Sequence, residues 1–321
     1  MRSFKVCLTL VAAMLAASPA AHAEDPAKWP TKPVTLMVPY APGGGTDIVA
    51  RLVGSKLSEI WGQSVVVENK PGANGVIGSA DVARSHPDGY KIMLVVGSHI
   101  INPILTKSVP YNTDIDFTPI TRLAVSPLVL VVAKEGKYAD LKSFIDLGKK
   151  GDISVGYSEG QTQLTGELIR QKAGINVIPV PYKGGSPLMV DIIGGHVESG
   201  VTSVLTALPH VKSGKLKVIG IAADKPLDVF PKATTFKQAG YPEVESLSWY
   251  GLFGPKGMPD GIVRKINESL PKATQDPVIA KQLEDQGAIV ALDTPAEFQS
   301  FLASEKKKWT EVAKKGNIQA K

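Results

Sequence analysis

The stretch VTLMVPYAPGGGTDIVAR, residues 34–51, decides how the chain is read. Val34–Val38 is a short apolar run of strand length and composition. From Ile48 the apolar residues Ile48, Leu52, Val53 and Leu57 recur at helical spacing. Between them Gly43-Gly44-Gly45 joins a strand end to a helix start. Glycines at such a junction let backbone N–H groups approach an anion, and the helix dipole favours negative charge there.

The anion is not a nucleotide. The Lys and Ser/Thr of a phosphate-binding P-loop do not follow at their required spacing, and a dinucleotide fingerprint would need a third glycine. A bare cradle remains: the N–H groups of residues 43–46, with Asp47 in the first helical turn, where a carboxylate suits the dipole as a cap. A second loop of this kind, Glu68-Asn69-Lys70-Pro71-Gly72-Ala73-Asn74-Gly75, also follows a strand (Val65–Glu68) and opens a helix (Gly75–Ser85). Two such loops after successive strands predict converging donors.

The alternation continues outward, with a strand at Lys91–Val96. A second unit begins near Ser126: strands at Leu128–Ala133, Ser154–Tyr157, Val177–Pro181 and Leu216–Ala222, helices at Ser143–Lys149, Thr162–Lys172 and Pro187–Ile193. This predicts an α/β fold with a largely parallel sheet, whose ligands sit beyond the carboxyl ends of the strands. Residues 128–136 and 249–257 resemble each other, each an apolar run closing on a glycine, and are candidates for two crossings between lobes of a hinged protein. Helices are expected at Pro259–Ala273, Pro277–Gln286 and Pro295–Lys315, returning to the first lobe, the last opened by a capping box, Thr294 with Glu297.

Composition narrows the function. Arg2 and Lys5, the apolar run Val6–Ala17 and Ala21-His22-Ala23 form a secretory signal, so residues 1–23 are expected to be cleaved and the protein exported. Cys7 is the sole cysteine of the chain and lies in that signal, which excludes a disulfide, a cysteine-bound metal and a cysteine nucleophile from the mature chain. The formal charge is +6, or about +4 without Arg2 and Lys5, a mild bias that suits an anionic partner. No basic stripe with interleaved aromatics speaks for nucleic acid. His86, His99, His196 and His210 show no ligand spacing, no Gly-x-Ser-x-Gly elbow occurs, and no carboxylates are paired for acid–base work. The sequence offers hydrogen-bond donors rather than catalysts. Further polar turns follow later strands and are candidates to close over a ligand from the opposite side: Ser158-Glu159-Gly160-Gln161-Thr162-Gln163, Pro181-Tyr182-Lys183-Gly184-Gly185-Ser186-Pro187 and Val201-Thr202-Ser203.

Taken in order, Trp29–Val34, Pro42–Asp47, Val67–Gly75, Asp88-Gly89-Tyr90, Pro181–Gly184 and Gly194–Val197 resemble the substrate-binding proteins of tripartite tricarboxylate transporters, the Bug receptors. The resemblance spans almost the whole mature chain. It implies a two-lobe periplasmic-binding-protein fold (type II-like) with a ligand cleft between lobes formed by 24–125 plus 250–321 and by 126–249. It implies a periplasmic monomer that captures a small carboxylate (a di- or tricarboxylate, an amino acid or an aromatic acid) for membrane transporter subunits, with no cofactor, metal or catalysis. A sensory role beside a membrane kinase, or an exported α/β hydrolase, are the alternatives. Carried onto this chain, the ligand is expected at Tyr40, Ala41, Gly43, Gly44, Gly45, Thr46, Asp47, Asn69, Ala73, Asn74, Gly75 and Ser98 of the first lobe. The second lobe would add Ser158, Gly160, Gln161, Gln163, Tyr182, Lys183, Gly184 and Ser203. Glu159, if it faces the cleft, disfavours a second carboxylate nearby, and the glutamines suit an amide, hydroxyl or ammonium group.

Overall fold

The computed structural model describes residues 26–285 and 287–320. The segment expected to be a cleaved signal, residues 1–23, lies outside them. Strands β1 (Val34–Val38), β2 (Val65–Asn69) and β3 (Lys91–Val95) pair in parallel in the order β2-β1-β3. Each leads directly into a helix: α1 (Gly45–Trp61), α2 (Val76–Ala83, after a 3-10 turn at Ala73–Gly75) and α3 (Ser98–Leu105). The long strand β4 (Phe117–Ala133) leads into a second set. Here β5 (Ile153–Tyr157), β6 (Val177–Pro181) and β7 (Ser199–Ser203) pair in parallel in the order β7-β5-β6. The helices α4 (Leu141–Gly148), α5 (Gly160–Ala173), α6 (Gly185–Ile193) and α7 (Val204–Lys212) alternate with them, and β8 (Leu216–Ile221), edged by the two-residue β9 (Thr234–Thr235), lies against β4.

The chain then returns through β10 (Leu247–Pro255) to α8 (Asp260–Thr274), α9 (Pro277–Asp285), β11 (Ile289–Val290) and α10 (Pro295–Lys315). This is a mixed α/β fold of two lobes. β10 runs antiparallel to β3 and to residues 117–127 of β4, whereas residues 128–133 of β4 pair with β7 and β8. The ladders therefore change sheets at Pro127/Leu128 and again at Ser246/Leu247. The Leu128 N–H donates to Ser246 O at 2.9 Å, tying the two crossings together. The resembling segments 128–136 and 249–257 begin at or just after these points.

Burial explains the strand composition. β1, β3 and the centre of β4 are covered on both faces and read as near-continuous aliphatic runs. β6 carries Pro179 and Pro181, which lack a ladder donor; it tolerates them because it is an edge strand, paired to β5 on one side. Leu36, Val53, Ile92 and Leu270 belong to one lobe's core, and Val129, Leu188, Ile192 and Val218 to the other's. A further cluster joins Met93 and Phe253 to Phe144, Leu168 and Trp309 beneath α10. The capping box at α10 is formed as expected: the Glu297 N–H donates to Thr294 Oγ1 at 3.3 Å and the Thr294 N–H to Glu297 Oε2 at 2.8 Å. That helix packs not only on β4 and α3 but also on α5, where Gln171 Nε2 donates to Val312 O at 3.0 Å, so it braces both lobes.

Three elements departed from the expected pattern. α3 has Pro103 inside it and β-branched residues around it, β7 reads Ser-Gly-Val-Thr-Ser, and the first half of β4 is interrupted by Pro119 and Arg122. Local preference favours none of them. β7 is a strand because it lies between β4 and β5, which satisfy its backbone groups from both sides.

Candidate functional site

The parallel strands of both lobes end at one cleft of about 820 Å³. β1 delivers residues 39–46 to it, β2 delivers 71–75, β5 delivers Ser158 and Glu159, β6 delivers 182–187, and β7 delivers Thr202 and Ser203. Each of these loops runs into a helix. The N-caps Gly44 (α1), Gly75 (α2), Glu159 (α5), Gly184 (α6) and Ser203 (α7) all line the cleft. Five helix N-termini thus aim their positive dipole ends and first-turn N–H groups at one volume. Gly44, Gly75 and Gly184 offer no side chain to cap their own helices. Ser203 differs, because its hydroxyl accepts from the Thr206 N–H at 3.4 Å.

The backbone of the second glycine loop explains its composition. Gly72, Ala73, Asn74 and Gly75 have φ of 140°, 46°, 53° and 91°, a run on the left-handed side that L side chains rarely adopt. Asn102 of α3 anchors it, its Nδ2 donating to Asn74 O at 3.0 Å. A Cβ at Gly75 would stand 3.0 Å from Tyr40 Cε1, so the tyrosine ring lies directly against this loop.

Asp47 holds the first glycine loop from behind. It accepts from the Gly43 N–H at 2.9 Å, from Arg51 Nε at 3.0 Å and from Asn69 Nδ2 at 3.0 Å. Asn69 Nδ2 also donates to Tyr40 O at 3.1 Å, and Arg51 donates to Asn69 Oδ1 at 3.0 Å. Burial alone would raise the Asp47 pKa, but the Arg51 hydrogen bond, the Gly43 N–H, Asn69 and the Arg51 charge together hold it below its ordinary 3.8. A carboxyl depressed in the folded state contributes stability above its unfolded pKa and loses it as pH falls through the folded one. Asp47→Asn is therefore expected to lower stability by about 1–2 kcal/mol at pH 7. The gap to wild type should close as pH falls below 3.8, which urea unfolding at pH 7 and pH 3 checks.

The cleft floor holds a buried polar group. Tyr40 Oη and Ser98 Oγ are 2.8 Å apart, and the Ser98 hydroxyl also hydrogen-bonds the Glu159 carboxyl. Glu159 Oε2 is closed off from solvent and has no hydrogen-bond partner among the described residues. Burial pushes the Glu159 carboxyl up from 4.5 to about 7, and the Ser98 hydrogen bond opposes this only in part. Burial first, and the Glu159 charge after it, raise the pKa of Tyr40 and Tyr250, so both phenols stay protonated donors. Gly45 meets the second tyrosine as Gly75 meets the first: a Cβ there would be 3.0 Å from Tyr250 Oη. Glu159 thus acts electrostatically on both tyrosines that back the glycine loops.

Of the residues expected from sequence, Tyr40, Ala41, Gly43, Gly44, Gly45, Thr46, Ala73, Asn74, Gly75, Ser158, Tyr182, Lys183, Gly184 and Ser203 line the cleft. Six do not, each for a physical reason. Asp47 and Asn69 are consumed in the clamp behind the loop. Ser98 is fully buried under Tyr40. Gly160 packs against α3, where a Cβ would stand 2.8 Å from Ile101 Cγ2. Gln161 is fully buried, its Nε2 donating to Leu247 O at 2.7 Å, and a Cβ at Gly97 would stand 2.1 Å from its Oε1. It therefore links α5 to the returning crossing and needs glycine at 97. Gln163 is half-buried outside the cleft lining.

Tyr250, Ser248, Thr206 and Val96 line the cleft without having been singled out for it, whereas Thr162 and the stretch Gly185-Ser186-Pro187 enter it from the polar turns noted in the sequence. Tyr250 and Ser248 arrive from β10, far away in sequence, and no local pattern marks them. His99 is buried among Tyr111, Phe117 and Phe253, and burial pushes its pKa down to about 3. Among the described residues no three His, Cys, Asp or Glu side chains converge to hold a metal ion.

Residues 49–318 match the family model for the tripartite tricarboxylate transporter family receptor. The chain is 31% identical to protein BugT of Bordetella pertussis over 299 residues, covering 91% of this chain and 92% of that protein. It is similar to an R. palustris protein solved with adipate, with 30% identity, a TM-score of 0.86, and 91% of this chain and 100% of that one covered. Its fold also matches MatC from Rhodopseudomonas palustris, solved with bound malate, with 29% identity, a TM-score of 0.81, and 88% and 99% of the two chains covered.

Proposed function

The chain belongs to the tripartite tricarboxylate transporter receptor family, and from that premise we propose that it captures a small carboxylate in its cleft and delivers it to membrane-embedded transporter subunits. The observation that carries this reading is the convergence of five helix N-caps on one cleft, three of them uncapped glycines. Backbone N–H groups bind a carboxylate without a fixed cation, and a closed cleft excludes water, so their dipoles act in a lower dielectric. Relatives solved with adipate and with malate are consistent with a carboxylate as the captured group.

The protein works in the periplasm after removal of residues 1–23; no helix among the described residues is long and apolar enough to cross a membrane. It binds its solute as a monomer and without chemical change, in keeping with a family and fold of receptors. Residues 24–125 with 250–321 form one moving body and residues 126–249 the other, swinging about the paired crossings. The ligand's carboxylate lies against Gly43–Thr46 and Ala73–Gly75, and Ser158, Tyr182–Gly184 and Ser203 close over it.

The test is a thermal-shift screen of residues 24–321, unfolded and refolded to remove any co-purified solute, against mono-, di- and tricarboxylates, amino acids and aromatic acids. A ligand specific to the folded state adds about 2.7 kcal/mol of stability at a hundredfold excess over its dissociation constant. A concentration-dependent shift with at least one carboxylate is expected. No shift with any of them would overturn the reading.

A further inference from the structure

Helix α10 runs from one lobe to the other along the flank of the hinge. Its first turns lie on the first lobe: Phe298 is fully buried with its ring 5.1 Å from that of Phe253, and Arg122 stands 4.2 Å over the Phe301 ring. Its middle is level with the crossings, where Lys308 Nζ donates to Glu245 O at 2.6 Å, beside the point at which the returning chain changes sheets. Its end lies on α5 of the second lobe. Gln171 Nε2 donates there to Val312 O at 3.0 Å, and a Cβ at Gly316 would stand 2.5 Å from Glu167 Oε1. Gly316 has φ −81°, which any residue adopts, so it is the approach of Glu167 that leaves no room for a side chain. Glu167 is held in that position by Arg170 Nε at 2.8 Å, Arg170 Nη2 at 2.7 Å and Gln171 Nε2 at 2.6 Å. None of these residues lines the cleft.

Resting on the two-lobe receptor function proposed above, we infer that the seam between the end of α10 and α5 is a latch that sets the hinge angle, and through it the affinity of the cleft, from outside the ligand's reach. The seam fits one angle. Gly316 follows Lys308 by eight residues, about 12 Å along a helix that rises 1.5 Å per residue. A rotation of about 10° at the crossings therefore displaces the two surfaces by up to about 2 Å, and the Gln171 bond fails beyond about 3.5 Å. The helix cannot follow the second lobe without drawing Phe298 out of the first. Ligand capture selects one arrangement of the lobes. A contact made in that arrangement assists capture, and one made in another must be broken by it, so the strength of the seam enters the measured affinity either way.

Spin labels on the outer edge strands, at Val66→Cys in β2 and Ile178→Cys in β6, report the distance between the lobes of the ligand-free protein; both positions are exposed, at 52% and 51%, and residues 24–321 hold no other cysteine. Gly316→Asp, which sets a second carboxylate against Glu167, is expected to shift the mean distance by about 3 Å or more, and Gln171→Ala to shift it the same way by less. Distances unchanged in both variants would overturn the latch, whether or not any ligand binds. In a second protein, Glu167→Cys with Gly316→Cys, the new Cβ at 316 stands 2.9 Å from the Cγ of the native Glu167, within disulfide reach. The pair should close in oxidised glutathione, and titration with adipate and L-malate should give affinities that differ at least about tenfold between the oxidised and reduced forms. A pair that does not close, or equal affinities in the two forms, would also overturn the latch. If wild type and the reduced pair bind neither these acids nor any acid of the thermal-shift screen, the receptor reading falls, and the ligand-free distances alone decide the latch.

Discussion

Gly75→Ala is expected to lose at least about a hundredfold in carboxylate affinity, close to 2.7 kcal/mol of binding free energy. Gly75 caps α2 at φ 91°, on the cleft wall, and a methyl group there would sit 3.0 Å from Tyr40 Cε1 and 3.1 Å from Tyr40 Oη. The ring cannot yield cheaply, since its hydroxyl is bonded to Ser98 at 2.8 Å and lies beside the buried carboxyl of Glu159. The substitution therefore disturbs the cradle and the tyrosine together. It also adds the cost of a left-handed L-residue, about 1–2 kcal/mol. Gly62 isolates that second contribution: it ends α1 at φ 65° with nothing within 4 Å of a new Cβ and lies outside the cleft lining. Gly62→Ala should lower the melting temperature and leave affinity unchanged, whereas Gly75→Ala should lower both. Wild-type affinity in Gly75→Ala would remove the second glycine loop from the site. Gly44→Ala is the milder companion, because Gly44 has φ −79° and its nearest neighbour to a new Cβ is Ala41 O at 3.6 Å. It should fold as well as wild type and affect only binding.

Without ligand, the protein is expected to lose stability between about pH 5 and pH 8 on account of Glu159, and Glu159→Gln to recover it. The folded-state pKa of about 7 lies above the ordinary 4.5. The folded chain therefore holds this proton more tightly than the unfolded one. The resulting stabilisation is fully present below about 4.5 and is lost as pH rises through 7. The span corresponds to at most about 3 kcal/mol, since one pKa unit is about 1.4 kcal/mol and the cleft admits some solvent. For a chain of this size that is roughly 5–10 °C in melting temperature. The variant-minus-wild-type difference cancels every other titrating group, so it should rise from near zero at pH 4 to its full value at pH 8. A difference that stays flat over this range would mean that Glu159 is solvated rather than buried.

The two glycine loops were legible because their chemistry is local. A strand end, a glycine run and a helix start follow one another in 34–51 and again in 65–83, and each dictates where free N–H groups point. The α/β alternation, the capping box at Thr294 and Glu297 and most strands followed from the same short-range rules. Elements whose only support is their neighbours were not legible: β7, with its Ser-Gly-Val-Thr-Ser sequence, and α3, with Pro103 inside it.

At the site, the backbone donors were determined by sequence and the side chains by tertiary structure. Glycine's freedom at positive φ and the dipole of a helix end are properties of a few consecutive residues, so Gly43–Thr46 and Ala73–Gly75 could be read directly. Whether Gln161 faced a ligand or braced a crossing depended on Leu247, 86 positions away, and on Gly97 in the other lobe. Tyr250 entered the cleft from β10, and Glu159 acquired its raised pKa from burial among Ser98, Tyr40 and Tyr250, groups that the sequence scatters over more than 200 residues. Desolvation and hydrogen-bond partnership are fixed by what folds around a group, and for these residues only the assembled lobes decide them.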